Sequence, residues 1–319
     1  MFRCKTTGFE KIEFLHCALP ENDLNQISTA CSFLNKPLSF PLMISAITGG
    51  YPGALRINAS LAEVCHSENI AMSVGSQRPV LSGHDQSETY RIVRRKMPGG
   101  VVLGNIGAGQ VASLASIDPF LKLVDMLEAD ALTVHLNPLQ EVLQPEGDVR
   151  FKGVLKGIEQ LVRKLPVPVV VKEVGCGISD RVAKKLMDVG VKYVDVAGAG
   201  GTSWAAIEGF RGGKKHLVRA FREWGLPTAE SLSRVLKYPD LHVIASGGID
   251  SGVTMAKAVA MGAELCGSAL PLFRTLMARK TKGLIQQIGE WKAEFKTVLF
   301  LTGCQNIGEL RMSDVLIKQ

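Results

Sequence analysis

Eight short apolar runs rich in β-branched residues, each closing on small or polar residues, constrain this chain more than any other feature. They occupy residues 42–46, 70–74, 101–105, 131–136, 168–172, 191–196, 242–246 and 265–268. The segments between them have helical periodicity. Two of the clearest, 179–189 and 252–261, run into Gly190 and Gly262, the residue type that stops a helix. Parallel strands need a crossover between neighbours, and eight strand–helix units close a sheet into a (β/α)8 TIM barrel. The rival, an open doubly wound sheet, requires a glycine fingerprint after its first strand, and Thr48-Gly49-Gly50 lacks the spacing. No Pro/Ser-rich linker or shift of composition divides the chain. The expectation is an α/β fold in one domain over residues 1–319, with 1–40 as an N-terminal cap and about 275–319 as closing helices and tail.

Of the 319 residues, 46% are hydrophobic, which suits a large buried core and excludes disordered and fibrous classes. No apolar run approaches the ~20 residues of a membrane helix, and residues 1–20 lack the basic-then-apolar pattern of a signal peptide. A cytoplasmic protein with no membrane partner is expected. The cysteines Cys4, Cys17, Cys31, Cys65, Cys176, Cys266 and Cys304 stand singly, which suits reduced thiols and offers no zinc pattern. Lysine and arginine number 37 against 30 acidic residues, a net charge of +7. The basic stretches 91–96, 184–185 and 214–222 have helix-like spacing without interleaved aromatics and read as solvated faces. Nucleic acid is not expected as a partner; a small anionic substrate accounts for the sign of the charge.

Active sites of such barrels lie at the C-terminal strand ends. Gly247-Gly248-Ile249-Asp250 and Gly267-Ser268-Ala269 follow the last two runs, each ahead of a helix, where backbone N–H groups converge on a phosphate. Tight loops would use glycine there too, but a third flexible loop, 198–202, favours a phosphorylated cofactor. Lys172 ends a wholly apolar run. It can form a Schiff base, offset negative charge on a bound ring such as a reduced flavin, or pair with a carboxylate such as Asp195. His135 closes the fourth run with Asn137, Gln140 and Glu141 behind it, four polar groups in need of partners. Glu141 reads as a ligand for Mg2+ or as half of a salt bridge, and Gln77-Arg78 as a phosphate fork or an Arg–carboxylate pair. Cys176 has no histidine beside it in sequence and reads as unreactive.

These residues resemble one family, the type 2, flavin-dependent isopentenyl-diphosphate isomerases. The likeness rests on Met43-Ile44-Ser45-Ala46-Ile47-Thr48-Gly49-Gly50, Val74-Gly75-Ser76-Gln77-Arg78 and His135 to Glu141 continuing to Gln144-Pro145-Glu146-Gly147-Asp148. Val171-Lys172-Glu173-Val174-Gly175, Gly200-Gly201-Thr202-Ser203-Trp204, Trp224-Gly225-Leu226-Pro227-Thr228-Ala229 and Ala245-Ser246-Gly247-Gly248-Ile249 complete it. The resemblance implies FMN held by Ala46, Ile47, Thr48, Ser76, Asn105, Lys172, Ala197, Thr202, Gly247, Gly248, Ile249, Asp250, Ala269 and Leu270. It implies isopentenyl or dimethylallyl diphosphate bound by Ser76, Gln77, Arg78, His135, Asn137 and Gln140, with Mg2+ on Glu141. Gln140, His135 and Lys172 would be the catalytic set, NADPH the flavin reductant, and a homo-oligomer, a tetramer or larger, the assembly.

The implied reaction moves protons and no net electrons, with the reduced flavin as acid–base group, Lys172 favouring its anionic form and Gln140 facing the alkene. The sequence departs from the family at three places. The family's Arg-Lys-x-x-His segment, which clamps the diphosphate, lies some tens of residues upstream of the part matched by Thr7-Gly8-Phe9, before this sequence opens. The expectation is a start further upstream or weak substrate binding, unless Arg3, Lys5 or a neighbouring subunit supplies the charge. Asp250 stands where the family commonly has Arg, and Cys176 where Asn is frequent. The alternatives are an FMN-dependent oxidoreductase on the same barrel and a non-catalytic FMN-binding homologue.

Overall fold

The eight apolar runs form eight parallel strands: β1 (Leu42–Ile44), β2 (Ala71–Ser73), β3 (Val102–Gly107), β4 (Ala131–Leu136), β5 (Val169–Glu173), β6 (Tyr193–Asp195), β7 (His242–Ser246) and β8 (Leu265–Ser268). Each pairs with the next, and β8 returns to β1 through Cys266↔Leu42 to Ser268↔Ile44, closing the barrel. The computed structural model describes residues 5–84, 86–112, 114–212 and 214–318, so Arg3 and Cys4 lie outside the described residues. Strand ends differ from the sequence reading by one or two residues. β3 continues to Gly107 because that residue still pairs with His135, whereas β1 stops at Ile44 where the chain turns into the Ser45–Gly50 loop.

The crossover helices follow local signals. Ser179 accepts a hydrogen bond from Val182 N at the start of the helix Asp180–Asp188, and Gly190 at φ 89° follows its end. Ser251 caps Gly252–Ala260 in the same way. Helix Val154–Lys164 buries Val154, Gly157, Ile158 and Leu161, one face at helical spacing, against the sheet's outer surface. The expected closing helix begins earlier than residue 275: Leu270–Leu301 starts at the end of β8 and is broken at Lys280, whose φ of 60° and ψ of −167° are not helical.

The N-terminal cap closes the barrel's lower end. Strands Cys31–Phe33 and Lys36–Leu38 form a hairpin through Leu34 and Asn35, both at positive φ, which matches the twist of a two-residue turn. Phe33 and Leu38 from this hairpin pack with Met43, Ala71, Leu103, Ala131, Val170, Ile244 and Leu265 inside the barrel. The Phe33 ring meets Tyr193 edge-on at 5.7 Å, and Tyr193 stacks on His242 at 4.6 Å. Strand Ile12–Phe14 pairs antiparallel with Leu316–Lys318, tying the two ends of the described chain together.

Candidate functional site

Side chains two residues apart on a strand share a face. Two residues above the apolar floor, the inward face therefore presents Ser45, Ser73, Asn105, Thr133, Lys172, Asp195 and Ser246, all buried. Ser45 Oγ, Ser73 Oγ, Thr133 Oγ1 and Asp195 Oδ2 have no hydrogen-bond partner among the described residues. Above this ring the strand-end loops build the mouth.

Three of the sequence candidates meet across β3, β4 and β5. His135 Nδ1 lies 2.7 Å from Asn105 Oδ1. Burial, and then the positive charge of Lys172, pushes the imidazole down to about 3, so it is neutral near pH 7 and brings no cation to an anionic ligand. Lys172 Nζ donates to Glu173 O at 2.6 Å and stands 3.6 Å from Asp195 Oδ2. The pairing with Asp195 weighed from the sequence is thus present, and it leaves Lys172 at the barrel mouth. Asp195 Oδ1 accepts from Ser246 Oγ at 2.6 Å and Ala197 N at 3.2 Å, which holds the charge in place.

A second group sits on and around the helix Pro138–Leu143. Asn137 Nδ2 donates to Gln140 Oε1 at 3.2 Å and to Glu141 Oε1 at 2.8 Å. Glu141 Oε2 accepts from Gln144 Nε2 at 2.5 Å and Asp148 N at 2.7 Å. Gln140 Nε2 donates to Glu208 Oε1 at 3.1 Å. Glu208 is fully buried on the helix Trp204–Phe210 and is also held by Arg211 Nη1 at 2.9 Å. Glu208 was missed in the sequence; its signal is a carboxylate three residues after Ala205 on the helix face that Ala205 and Ala206 bury.

The glycine loops meet backbone to backbone. A Cβ on Gly201 would lie 2.5 Å from Gly248 N, and one on Gly247 would lie 2.2 Å from Gly198 O. Gly247 and Gly248 sit at φ 99° and 76°, open to glycine without cost. Their N–H groups and that of Ile249 meet no acceptor among the described residues. Ala269 and Leu270 lie at the start of the helix after β8, and Asp250 immediately precedes Ser251, the cap of the helix after β7.

On the opposite rim, Thr48 Oγ1 donates to Asn58 Oδ1 at 2.7 Å, and Tyr90 OH donates to Ser76 O at 2.5 Å, so Thr48 and Ser76 are held by the helices behind them, with Ala46 and Ile47 in the loop that leads to Thr48. Arg78 is exposed, and its field reaches Glu146 and Asp148, whose carboxyls are held low chiefly by Arg211 and Arg150. Gln77 requires a correction. It is fully buried, with Nε2 donating to Leu123 O at 3.2 Å and Oε1 accepting from Asn105 N at 3.0 Å. Its amide braces β3 from behind and does not reach a substrate in the mouth.

Gln140 shares a cavity with Glu173, Thr202 and Trp204. Glu173, also without an assigned role in the sequence reading, accepts from Val174 N at 2.6 Å, Gly175 N at 2.7 Å and Cys176 N. Burial pushes its carboxyl up to about 7 against the pull of those three bonds. Burial, with Glu173, pushes the Cys176 thiol up to about 12, the behaviour of an unreactive cysteine. Among the described residues no helix is long and apolar enough to cross a membrane.

A family model described as FMN-dependent dehydrogenase matches residues 137–317. The isopentenyl-diphosphate delta-isomerase of Nostoc sp. is 45% identical over 320 residues, covering 99% of this chain and 91% of its own length. The protein of the same name from Methanothermobacter thermautotrophicus is 42% identical over 313 residues, with 98% and 88% covered. Among solved structures, a flavocytochrome b2 variant with sulfite bound superposes with TM-score 0.72 at 20% identity, covering 98% of this chain and 77% of that one. A mandelate oxidase variant with an FMN adduct gives 0.67 at 18%, with 98% and 90% covered. At such identities the structural likenesses show the barrel fold alone.

Proposed function

The chain belongs to the isopentenyl-diphosphate delta-isomerase family, and from that premise we propose that it interconverts isopentenyl and dimethylallyl diphosphates with FMN as its prosthetic group. The observation that carries the site reading is Gln140 in the cavity wall with the buried carboxylate of Glu208 one hydrogen bond behind it.

The mouth's own features fit FMN. The N–H groups of Gly247, Gly248 and Ile249 suit a phosphate, with Ala269 and Leu270 beside the last helix start. Thr48, Ser76, Asn105, Lys172, Ala197 and Thr202 would hold the rest. Reduced FMN supplies acid–base capacity and an electron-rich face. Lys172 would supply positive charge to a reduced flavin ring, and the neutral His135 would add a hydrogen bond without a charge of its own.

The isomerisation adds a proton at the terminal carbon and removes one from the allylic carbon, so protons balance and no electrons are transferred. Gln140 is too weak a base near neutral pH to take the allylic proton. It orients the alkene and leads the proton toward the carboxylate of Glu208. Leu139 and Trp204 give the cavity apolar walls, which would disfavour water beside cationic character on a bound substrate. Asn137 sets Gln140 and Glu141 together, and Arg78 lies at the rim for the diphosphate. Glu141 would hold Mg2+, which would offset negative charge on the diphosphate. NADPH as reductant, a homo-oligomer of four or more chains and a cytoplasmic setting belong to the same proposal.

The second reading, an FMN-dependent oxidoreductase, draws on the family model that matches residues 137–317. The test is direct. Protein loaded with FMN, reduced, and given Mg2+ and isopentenyl diphosphate should yield dimethylallyl diphosphate in the proton NMR spectrum. Glu208→Gln should cut kcat on the order of a hundredfold while FMN affinity stays unchanged. Absence of the dimethylallyl product from the unmodified protein overturns the isomerase reading.

A further inference from the structure

One buried carboxylate reaches the ends of three barrel strands. Asp195 closes β6 and stands in register with Lys172 on β5 and with Ile244 on β7. Its Oδ1 accepts from Ser246 Oγ at 2.6 Å, which ties it to β7 at the residue before Gly247. The same oxygen accepts from Ala197 N at 3.2 Å, an Asx turn that holds Ala197 at φ 35°, a left-handed conformation that alanine rarely adopts. Beyond this turn Gly177 N donates to Ala197 O at 3.1 Å and Gly198 N to Ser246 O at 2.9 Å, so the chain is laid against the Gly247 loop.

The other oxygen is left for charge. Asp195 Oδ2 meets no hydrogen-bond donor among the described residues, and Lys172 Nζ stands 3.6 Å from it. The hydrogen bond of that ammonium goes instead to Glu173 O at 2.6 Å. Among the described residues Asp195 is the one carboxylate within 4.0 Å of Lys172 Nζ. His135, in register with Lys172 on β4, is neutral near pH 7. Glu173, the next carboxyl, is raised to about 7 by burial and has its Oε2 turned to the N–H groups of residues 174–176.

An ion pair buried this deeply is a poor device for holding strands together. Desolvation of two charges can exceed their attraction unless hydrogen bonds satisfy both, and here one carboxylate oxygen goes without. An apolar pair would join β5 to β6 as well. It would not supply a fixed cation whose charge is partly cancelled. The proposed chemistry needs that compromise, because a reduced flavin that both gives and takes a proton must have a proton affinity matched to the working pH.

We propose that Asp195 is a positioning residue that tempers the charge of Lys172, and so sets how strongly the mouth prefers reduced to oxidised FMN. The inference rests on the FMN part of the proposed function.

The experiment measures the midpoint potential of FMN bound to the full chain, by spectroscopic titration with a reductant in the absence of oxygen and substrate. Asp195→Asn keeps the shape and an oxygen for Ser246 Oγ and Ala197 N while removing the charge. It should favour reduced over oxidised FMN about tenfold more than the unmodified chain does, which for a two-electron couple is a potential about 30 mV more positive. Ser246→Ala loosens the carboxylate from β7 but keeps both charges, and its preference should stay within about twofold of the unmodified chain. In a Lys172→Met background the buried aspartate, lacking its cation, takes up a proton, so adding Asp195→Asn there should change the preference less than about twofold. A change within about twofold for Asp195→Asn alone overturns the proposal. So does an equal shift in Ser246→Ala, which would make the carboxylate a staple, or a full shift in the Lys172→Met background, which would show that it does not act through Lys172. Should Asp195→Asn not fold, Asp195→Ser, whose hydroxyl can also accept from Ala197 N, is judged by the same shift. The titration needs no turnover, so a chain that makes no dimethylallyl diphosphate fails the isomerase reading alone, whereas a chain that binds FMN in neither form overturns both.

Discussion

The floor and the mouth of the barrel interior are built by the same strands only two residues apart, yet they are opposite materials. Met43, Ala71, Leu103, Ala131, Val170, Tyr193 and Ile244 form the floor with Phe33 and Leu38 of the plugging hairpin. Ser45, Ser73, Asn105, Thr133, Lys172, Asp195 and Ser246 follow them on the same faces. Every floor residue gains by leaving water and meeting close-packed neighbours. At the mouth, the buried hydroxyls of Ser45, Ser73 and Thr133 have no hydrogen-bond partner among the described residues, each at a cost of about 1–3 kcal/mol, and a lysine is buried with an aspartate at 3.6 Å. The difference separates tasks: the lower layer holds the sheet closed, and the upper layer keeps polar groups fixed and dry for a ligand.

Breaking one end at a time tests that separation. The largest effect on stability is expected at the floor. Phe33→Ala removes the plug's ring and its contact with Tyr193, and should cost about 3–5 kcal/mol of unfolding free energy, with kcat per folded molecule unchanged. At the mouth, Lys172→Ala should lower kcat per folded molecule on the order of a hundred- to a thousandfold and loosen reduced FMN more than oxidised FMN, and it should also cost stability, because Asp195 is left buried without its cation. Similar losses of both stability and activity in both variants would erase the distinction between the two layers.

A smaller effect sharpens it through pH. His135 is pushed from the ordinary 6.5 down to about 3 in the folded chain, so the unfolded chain binds the proton first as pH falls. Stability carried by the neutral imidazole is therefore complete above pH 6.5 and lost progressively below it, at no more than about 1.4 kcal/mol per pH unit. Glu173, raised to about 7 by burial, acts with the opposite sign: the folded chain takes its proton first, and stability rises as pH falls from about 7 toward 4.5. Comparing His135→Asn with the unmodified chain at each pH cancels the Glu173 contribution. The Tm difference should shift in favour of the variant between pH 7 and pH 5; a difference constant with pH contradicts the buried neutral imidazole.

Much of this architecture was legible in the chain. β-branched runs spaced by helical segments are a local signal, and all eight strands stand where the runs do, with ends shifted because pairing rather than composition decides where a strand stops. Strand-end residues such as His135, Lys172 and Gly247 were also readable, since the barrel rule places them at the mouth. Gln77 was misread because sequence does not say which way a residue beyond a strand end turns. A glycine in β3 is the signal: a Cβ at Gly104 would come 2.8 Å from Gln77 Oε1, so the strand leaves room for that amide behind it. Glu208 was harder still. It works at the cavity through a contact with Gln140, a residue far from it in sequence.

Whether this mouth moves protons or electrons is decided by following flavin absorbance during turnover without oxygen. With the protein's FMN fully reduced at the start, Mg2+ present and no further reductant, the expected result is many equivalents of dimethylallyl diphosphate while the reduced-flavin spectrum stays constant. Reoxidation of the flavin in step with substrate consumption, with turnover ending after one equivalent, would contradict the account and make the chain an oxidoreductase.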